Sequence, residues 1–170
     1  MTNKIKKRNK KVILGIDPGS TTIGYGILKC NGNINQPEVI NYGYIDLKGH
    51  LQQEIKLLHL YLDLQEIYNI YKPDTIAIEN IYFFKNVKTA NSVIQSKGVI
   101  LFSAAKAKIK IFEYTPLQVK QTISGYGKAT KKFVEQAVKF SLKINKDIKP
   151  DDASDALAIA LCHYRHLTNI

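Results

Sequence analysis

The apolar residues of this chain change their spacing along the sequence, and the order of the resulting elements limits the folds that it can adopt. Short apolar runs at 11–16 and 23–29, separated by Pro-Gly-Ser-Thr-Thr, predict a β-hairpin, and a third strand is predicted at about 38–46. Helical spacing of apolar residues then runs from Leu51 to Ile70, and a short extended run follows at 75–79. Three strands are therefore followed by alternating helices and strands.

The second half of the chain continues this alternation. A helix, a fifth strand and three further helices are predicted at about 89–106, 109–114, 116–124, 130–143 and 152–167. Strands joined by short turns should be antiparallel, whereas the fourth and fifth strands, each reached through a helix, should run parallel to a neighbour. The order predicts an α/β fold with a mixed five-stranded sheet flanked by helices on both faces.

Length, charge and cysteine content narrow the function classes. A chain of 170 residues with 45% hydrophobic content suffices for one core, so residues 11–170 are expected to form a single domain. The net charge of +11 indicates a polyanionic partner, with nucleic acid favoured over a membrane surface. No apolar run approaches the roughly 20 residues of a membrane span. Because Cys30 and Cys162 form neither a disulfide framework nor a zinc motif, a cytoplasmic location is expected.

The N-terminus is a basic segment. Six of the 25 Lys and Arg residues lie within the first 11 positions, and we expect residues 1–10 to be a disordered arm. Such an arm would either attract nucleic acid without sequence preference or serve only as a solubilising tail. The sequence leaves both interpretations open.

Four carboxylates stand at the ends of apolar runs, where a basic chain has no structural need for them. Asp17 and Glu79 end hydrophobic strands, and Asp152 and Asp155 open the hydrophobic run of the last helix. Carboxylates are rare in such surroundings unless a cation or a metal ion compensates them. If the first and fourth strands are parallel neighbours, Asp17 and Glu79 lie at the same edge of the sheet.

The acids of the last helix have two interpretations. Asp152 and Asp155 share a helix face because they are three residues apart, and small alanines beside them would let the helix approach the sheet closely. Asp151 could cap the helix, so the ligand role is assigned to Asp152. Alternatively, all three acids only cap the helix and compensate its dipole.

Taken together, the four acids favour metal binding. Carboxylates crowded into one site repel each other, and divalent cations remove that conflict. Two Mg²⁺ ions about 3.5 to 4 Å apart can activate a water molecule and stabilise the leaving oxygen in phosphodiester cleavage. Oxygen-only ligands favour Mg²⁺ over zinc, and Mn²⁺ is expected to substitute.

Four motifs in this order resemble those of RuvC-type Holliday junction resolvases: Gly15-Ile-Asp-Pro-Gly19, Ala77-Ile-Glu79 followed by Lys85-Asn86, Gln118-Val-Lys-Gln-Thr122, and the run from Asp152 to Ala160. The resemblance extends from about residue 11 to 166. It implies a ribonuclease H-like fold, a homodimer, and Mg²⁺-dependent, symmetric nicking of four-way DNA junctions in recombination and repair. A RuvA/RuvB-like branch-migration complex is a further partner that it suggests.

The resemblance also implies residue roles. The catalytic, metal-binding acids fall on Asp17, Glu79, Asp152 and Asp155, and the DNA-binding residues fall on Tyr82, Lys85, Lys120 and Lys131. Without the resemblance, the lysines would be interpreted as a solvated helix face. The aromatic run from Tyr82 to Phe84 could alternatively pack into the core or a dimer interface.

Three other functions compete with junction cleavage. Asp17-Pro-Gly-Ser-Thr-Thr resembles the phosphate loop of actin-like and sugar kinases, but those proteins close two lobes around a nucleotide, and 170 residues supply one. A ribonuclease H-like nuclease acting on RNA would carry similar acids. A module that binds junctions without cutting them is disfavoured, because the acids would then only weaken DNA binding.

Overall fold

The computed structural model describes residues 10–31, 36–49, 52–80 and 87–168, and of residues 87–89 the backbone alone. Within these ranges the chain forms five strands and five helices. In chain order they are β1 Lys11–Asp17, β2 Thr22–Cys30, β3 Glu38–Asp46, α1 Gln53–Tyr71, β4 Thr75–Glu79, α2 Val87–Lys106, β5 Lys110–Tyr114, α3 Pro116–Ser124, α4 Lys131–Leu142 and α5 Asp151–Thr168. Each element predicted from the sequence is present, with ends shifted by two residues or fewer.

The five strands form one mixed sheet in the order β3-β2-β1-β4-β5. β1 pairs antiparallel with β2, and β2 with β3, as the short connections predict. β1 and β4 are parallel neighbours, and β4 and β5 are parallel too. The helical crossover between β1 and β4 thus brings the carboxyl ends of two strands distant in sequence to the same edge.

The two faces of the sheet carry separate cores, because side chains alternate along each strand. Ile13 and Ala77 face α3, α4 and α5, whereas Leu14, Ile16 and Ile78 face α1 and α2. The prediction of helices on both faces is therefore confirmed. α5 is buried along most of its length, from Ala153 to Tyr164, because it lies between the sheet and the outer helices α3 and α4.

Local signals explain where the helices begin and end. α1 ends at Lys72, which adopts a left-handed conformation (φ 47°) just before Pro73. α3 begins with a capping box, in which the Thr115 hydroxyl accepts from the Gln118 backbone N–H and the Gln118 side chain accepts from the Thr115 N–H. No helix among the described residues is long and apolar enough to cross a membrane.

Candidate active site

Asp17 and Glu79 lie side by side at the edge of the sheet because their strands are parallel and in register. Gly15 pairs with Ala77 and Ile16 with Ile78, so each acid comes one residue after the last paired position. Residues an even number of positions apart in a strand share a face of the sheet. Asp17 therefore lies on the same face as Ile13 and Gly15, and Glu79 on the same face as Ala77, which is the face that α5 covers. The sequence-predicted convergence of the two strand ends is confirmed.

Helix α5 brings Asp152 and Asp155 to this edge by packing directly on glycines of the sheet. A Cβ atom on Gly24 would lie 2.0 Å from the Asp152 carbonyl oxygen, and one on Gly15 would lie 2.2 Å from the Ala156 carbonyl oxygen. A side chain at either position would push the helix away. The close approach expected from the alanines of α5 is thus present, and the strand glycines make it possible.

Three of the predicted acids line one pocket of about 250 Å³. Asp17, Glu79 and Asp155 share it with two cations, Lys120 of α3 and Lys131 of α4. Apolar side chains complete the wall: Pro116, Val119, Val134, Ala158 and Ile159. The pocket thus combines carboxylates, ammonium groups and apolar surface that limits access of water.

Asp152 borders a second depression, of about 690 Å³, whose other lining residues are Thr22, Tyr44, Asp46, Lys48, Lys149, Pro150 and Asp151. It still acts on the first pocket, because its charge contributes to raising the pKa of Asp17. Asp152 lies in the first turn of α5.

The electrostatics of the pocket oppose ionisation of its inner acids. Burial raises the pKa of Asp17 to about 8, with further contributions from the charges of Asp155, Glu79 and Asp152. Burial and then Asp155 also raise the pKa of Glu79, against the lowering effect of Lys120 and Lys131. At neutral pH the metal-free pocket therefore favours a proton on Asp17.

A lysine lies among the acids, which the sequence does not predict. Lys131 Nζ is 2.9 Å from Asp155 Oδ2 and 3.3 Å from Asp151 Oδ2. The sequence contains a signal for this arrangement: α4 begins with Lys131 and Lys132 and has no acid in its first turn. Cations are unfavourable at a helix N-terminus, so a lysine there indicates an acidic partner elsewhere.

The donor chemistry of the four acids fits a hard divalent cation, which takes oxygen ligands. Such an ion would also offset the burial and the repulsion by neighbouring acids that together raise the pKa of Asp17. In the described part of the chain, no group of three or more His, Cys, Asp or Glu side chains is arranged to hold a metal ion. Asp155 is instead engaged by Lys131.

Two predicted DNA-binding residues, Tyr82 and Lys85, lie outside the described residues. The segment that contains them begins after Asn80, whose backbone N–H donates to the Tyr114 carbonyl oxygen at 2.7 Å. Lys97 of α2 donates to Asn80 Oδ1 at 3.1 Å and to Glu113 at 2.6 Å. Lys97, which sequence reasoning did not single out, thus anchors the strand end that carries Glu79.

A buried histidine joins α5 to the same strands. His163 is 1% exposed, and its ring nitrogens lie 2.7 Å from the Tyr114 hydroxyl and 3.2 Å from the Thr75 hydroxyl. Burial lowers the pKa of His163 to about 4, so the ring is neutral at physiological pH. The contacts fix α5 on β4 and β5.

Comparison with known proteins identifies relatives along almost the whole chain. The family model described as crossover junction endodeoxyribonuclease RuvC matches residues 13–163. The crossover junction endodeoxyribonuclease RuvC of Halothermothrix orenii is 47% identical over 152 residues, which cover 89% of this chain and 91% of the relative.

Solved structures agree with the sequence comparison. The Thermus thermophilus RuvC structure in complex with a Holliday junction substrate superposes with a TM-score of 0.86 at 27% identity, covering 94% of this chain and 96% of that one. The yeast mitochondrial Holliday junction resolvase Ydc2 has a TM-score of 0.66 at 14% identity, covering 92% and 82%, and so supports the fold alone. The predicted ribonuclease H-like fold is confirmed.

Proposed function

Since the chain belongs to the RuvC family of crossover junction endodeoxyribonucleases, we propose that it resolves four-way DNA junctions by hydrolysing phosphodiester bonds at the acidic pocket. The observation that carries this proposal is the meeting of Asp17, Glu79 and Asp155 in one pocket beside Lys120 and Lys131. Carboxylates for metal and ammonium groups for phosphate thus lie within one concave surface. The basic net charge of +11 would attract the polyanionic substrate from solution.

Asp17, Glu79, Asp152 and Asp155 would hold two Mg²⁺ ions, for which Mn²⁺ can substitute. When bound, such ions make a water molecule nucleophilic at neutral pH and stabilise the leaving oxygen of the phosphodiester. Because burial favours a proton on Asp17, the bound cations would have to replace that proton before Asp17 could serve as an ionised ligand. Strand ends and a buried helix hold the backbone at each acid.

The apolar wall of the pocket has a separate role. Val119, Val134 and Ile159 exclude water from one side of the acids. Charges interact more strongly where water is excluded, so each carboxylate and ammonium group there affects a reacting phosphate more than a surface charge would.

Four residues would contact DNA. Lys120 stands on the pocket wall, close enough to lower the pKa of Glu79, and would bind a phosphate next to the scissile bond. Lys131 and Lys85 would contribute further phosphate contacts. Tyr82 would stack on bases opened at the junction.

Paired, symmetric nicks require two active sites, so we propose a homodimer with one strand cut per subunit. Large apolar side chains exposed on the neighbouring helices α1 and α2, at Leu58, Leu62, Ile94 and Phe102, support this assembly, because a partner subunit could cover them. Residues 11–170 would act as one nuclease domain. A RuvA/RuvB-like complex would deliver the junction during recombination and repair.

A cleavage panel tests the proposed function. The purified protein is incubated with a four-way DNA junction, the matching linear duplex and an RNA–DNA hybrid, each with Mg²⁺ or with EDTA. We expect paired nicks in the junction, only with Mg²⁺. Preferred cutting of the hybrid would instead favour the RNA nuclease, binding without cutting would favour the junction-binding module, and ATP hydrolysis without DNA would favour the phosphotransferase.

A further inference from the structure

Among the described residues, Lys131 is the cation in direct contact with an acid of the pocket. Its ammonium group bridges two carboxylates of α5, at 2.9 Å from Asp155 and 3.3 Å from Asp151. Its charge also acts on Asp17 and Glu79, since it lowers the pKa of both. One ammonium group therefore compensates part of the charge of every acid on the pocket wall.

The position of Lys131 allows this group to leave. The side chain is 57% exposed and belongs to the first residue of α4, whose start is fixed by the Thr130 hydroxyl accepting from the Phe133 N–H. The backbone is thus held while the long side chain can rotate towards solvent. Exposed ion pairs are weak, so a divalent cation at the same carboxylates can displace the ammonium group.

We propose that Lys131 is an exchangeable counter-ion: it pairs with Asp155 and Asp151 in the metal-free protein, is displaced when a divalent cation binds the acids, and then binds a phosphate of the DNA. This inference rests on the proposed function, because it requires the acids to bind metal. It differs from a permanent Lys131–Asp155 bridge, which would hold Asp155 in place and assist metal binding.

Exchange makes metal binding and DNA binding mutually dependent. In the protein alone, Lys131 competes with the metal ion for Asp155, so the ion binds less tightly than the acids alone would allow. In the presence of DNA, the displaced ammonium group gains a phosphate partner, which favours the metal-bound state. By linkage, the metal increases the affinity for DNA by the same factor.

The test measures Mn²⁺ binding to the protein without DNA, by titration followed with electron paramagnetic resonance. The variant Lys131→Met removes the competing charge and keeps the length of the side chain. Lys132→Met, at the adjacent exposed position, is the matched control for the loss of one positive charge. Asp17→Asn reports whether the ions counted are those in the pocket, and circular dichroism shows that each variant is folded.

We expect Lys131→Met to bind Mn²⁺ about fivefold more tightly than the unaltered protein, at the lower end of usual coupling factors, and Lys132→Met to change the affinity by less than about twofold. Equal or weaker binding by Lys131→Met, or an equal gain in both lysine variants, would overturn the exchange. If Mn²⁺ binding in the unaltered protein does not depend on Asp17, the proposed metal site fails as well, so the two failures are distinguishable.

Discussion

A carboxylate enclosed among other carboxylates destabilises a folded protein unless it takes up a proton or a cation, and Asp17 is in this position. Its pKa is raised to about 8, from an ordinary value of 3.8, first by burial and then by three neighbouring acids. Between about pH 4 and pH 8, the folded protein therefore keeps a proton on Asp17 that the unfolded chain has already released. Stability of the metal-free protein should fall as pH rises through this window.

Replacing Asp17 by Asn should separate stability from activity. In EDTA at pH 8 we expect a gain in the free energy of unfolding of about 2 to 4 kcal/mol, since a buried acid that Lys131 compensates only in part is removed, and a weaker dependence on pH. Junction cleavage should fall at least about a thousandfold, with junction binding retained. Urea unfolding at several pH values and a cleavage assay measure both effects.

Asp63→Asn, on α1 across the sheet, provides the control and should change neither quantity. A variant at Asp17 that cuts junctions at the normal rate would exclude this acid from the active site. A loss of stability at pH 8 would show that favourable interactions of the Asp17 carboxylate outweigh the cost of its burial in the metal-free protein.

The sequence alone indicates the functional role of a residue where the residue type conflicts with its surroundings. Asp17 and Glu79 were recognisable because acids end apolar strands, and the conflict pointed to a site. Lys131 could not be placed among the acids, because a lysine in the first turn of a helix indicates an acidic partner without showing which acid it is. Tyr82 and Lys85 lie outside the described residues, so their roles stay predictions.

At the scale of elements, the geometry of the site depends on how closely α5 packs on the sheet. Gly24→Ala would place a methyl group 2.0 Å from the Asp152 carbonyl oxygen, so the first turn of α5 must move. Because a shift of about 1 Å can cost about a hundredfold in rate, we expect a loss of this size in junction cleavage. Overpacking should also cost about 1 to 3 kcal/mol of stability, measured by urea unfolding.

Gly49→Ala is the matched control, since a Cβ atom there meets nothing within 4 Å. Its cleavage rate and stability should stay close to those of the unaltered protein. Undiminished cleavage by Gly24→Ala would show that the first turn of α5 does not set the position of the catalytic groups.

The order and bounds of the elements could be predicted far better than their contacts. β3 and β4 were predicted with the observed bounds, 38–46 and 75–79, because alternation and turn residues are local signals. The contact of Gly24 with Asp152 joins residues far apart in sequence, and a glycine within a strand does not indicate which partner approaches it. Such contacts depend on the assembled sheet.

For the molecule as a whole, the apolar side chains that α1 and α2 expose bear on assembly. Leu62 of α1 is 50% exposed and Phe102 of α2 is 62% exposed, and Gly98 lies one turn from Phe102 with open space beyond its Cα. A glycine inside a helix costs up to about 1 kcal/mol relative to alanine, so its presence is consistent with close approach of another helix. We assign this surface to the proposed homodimer.

Phe102→Glu should therefore dissociate the dimer. Burying a charge in place of a ring should raise the dissociation constant at least about thirtyfold, as expected for a central contact. Phe140→Glu, on α4 at the other face of the sheet, replaces a phenylalanine that is 88% exposed and should leave the dimer intact. Sedimentation velocity distinguishes the two results, and a dimer that survives Phe102→Glu would place the interface elsewhere.

The whole chain carries a net charge of +11 and yet gathers acids in one pocket, and the proposed mechanism depends on divalent cations binding those acids. The most direct measurement is anomalous diffraction from crystals grown with Mn²⁺. We expect two anomalous peaks within ligand distance of Asp17, Glu79, Asp152 and Asp155, with the Lys131 ammonium group withdrawn from Asp155. Ordered Mn²⁺ found only elsewhere, with Lys131 still paired to Asp155, would contradict the proposed metal site.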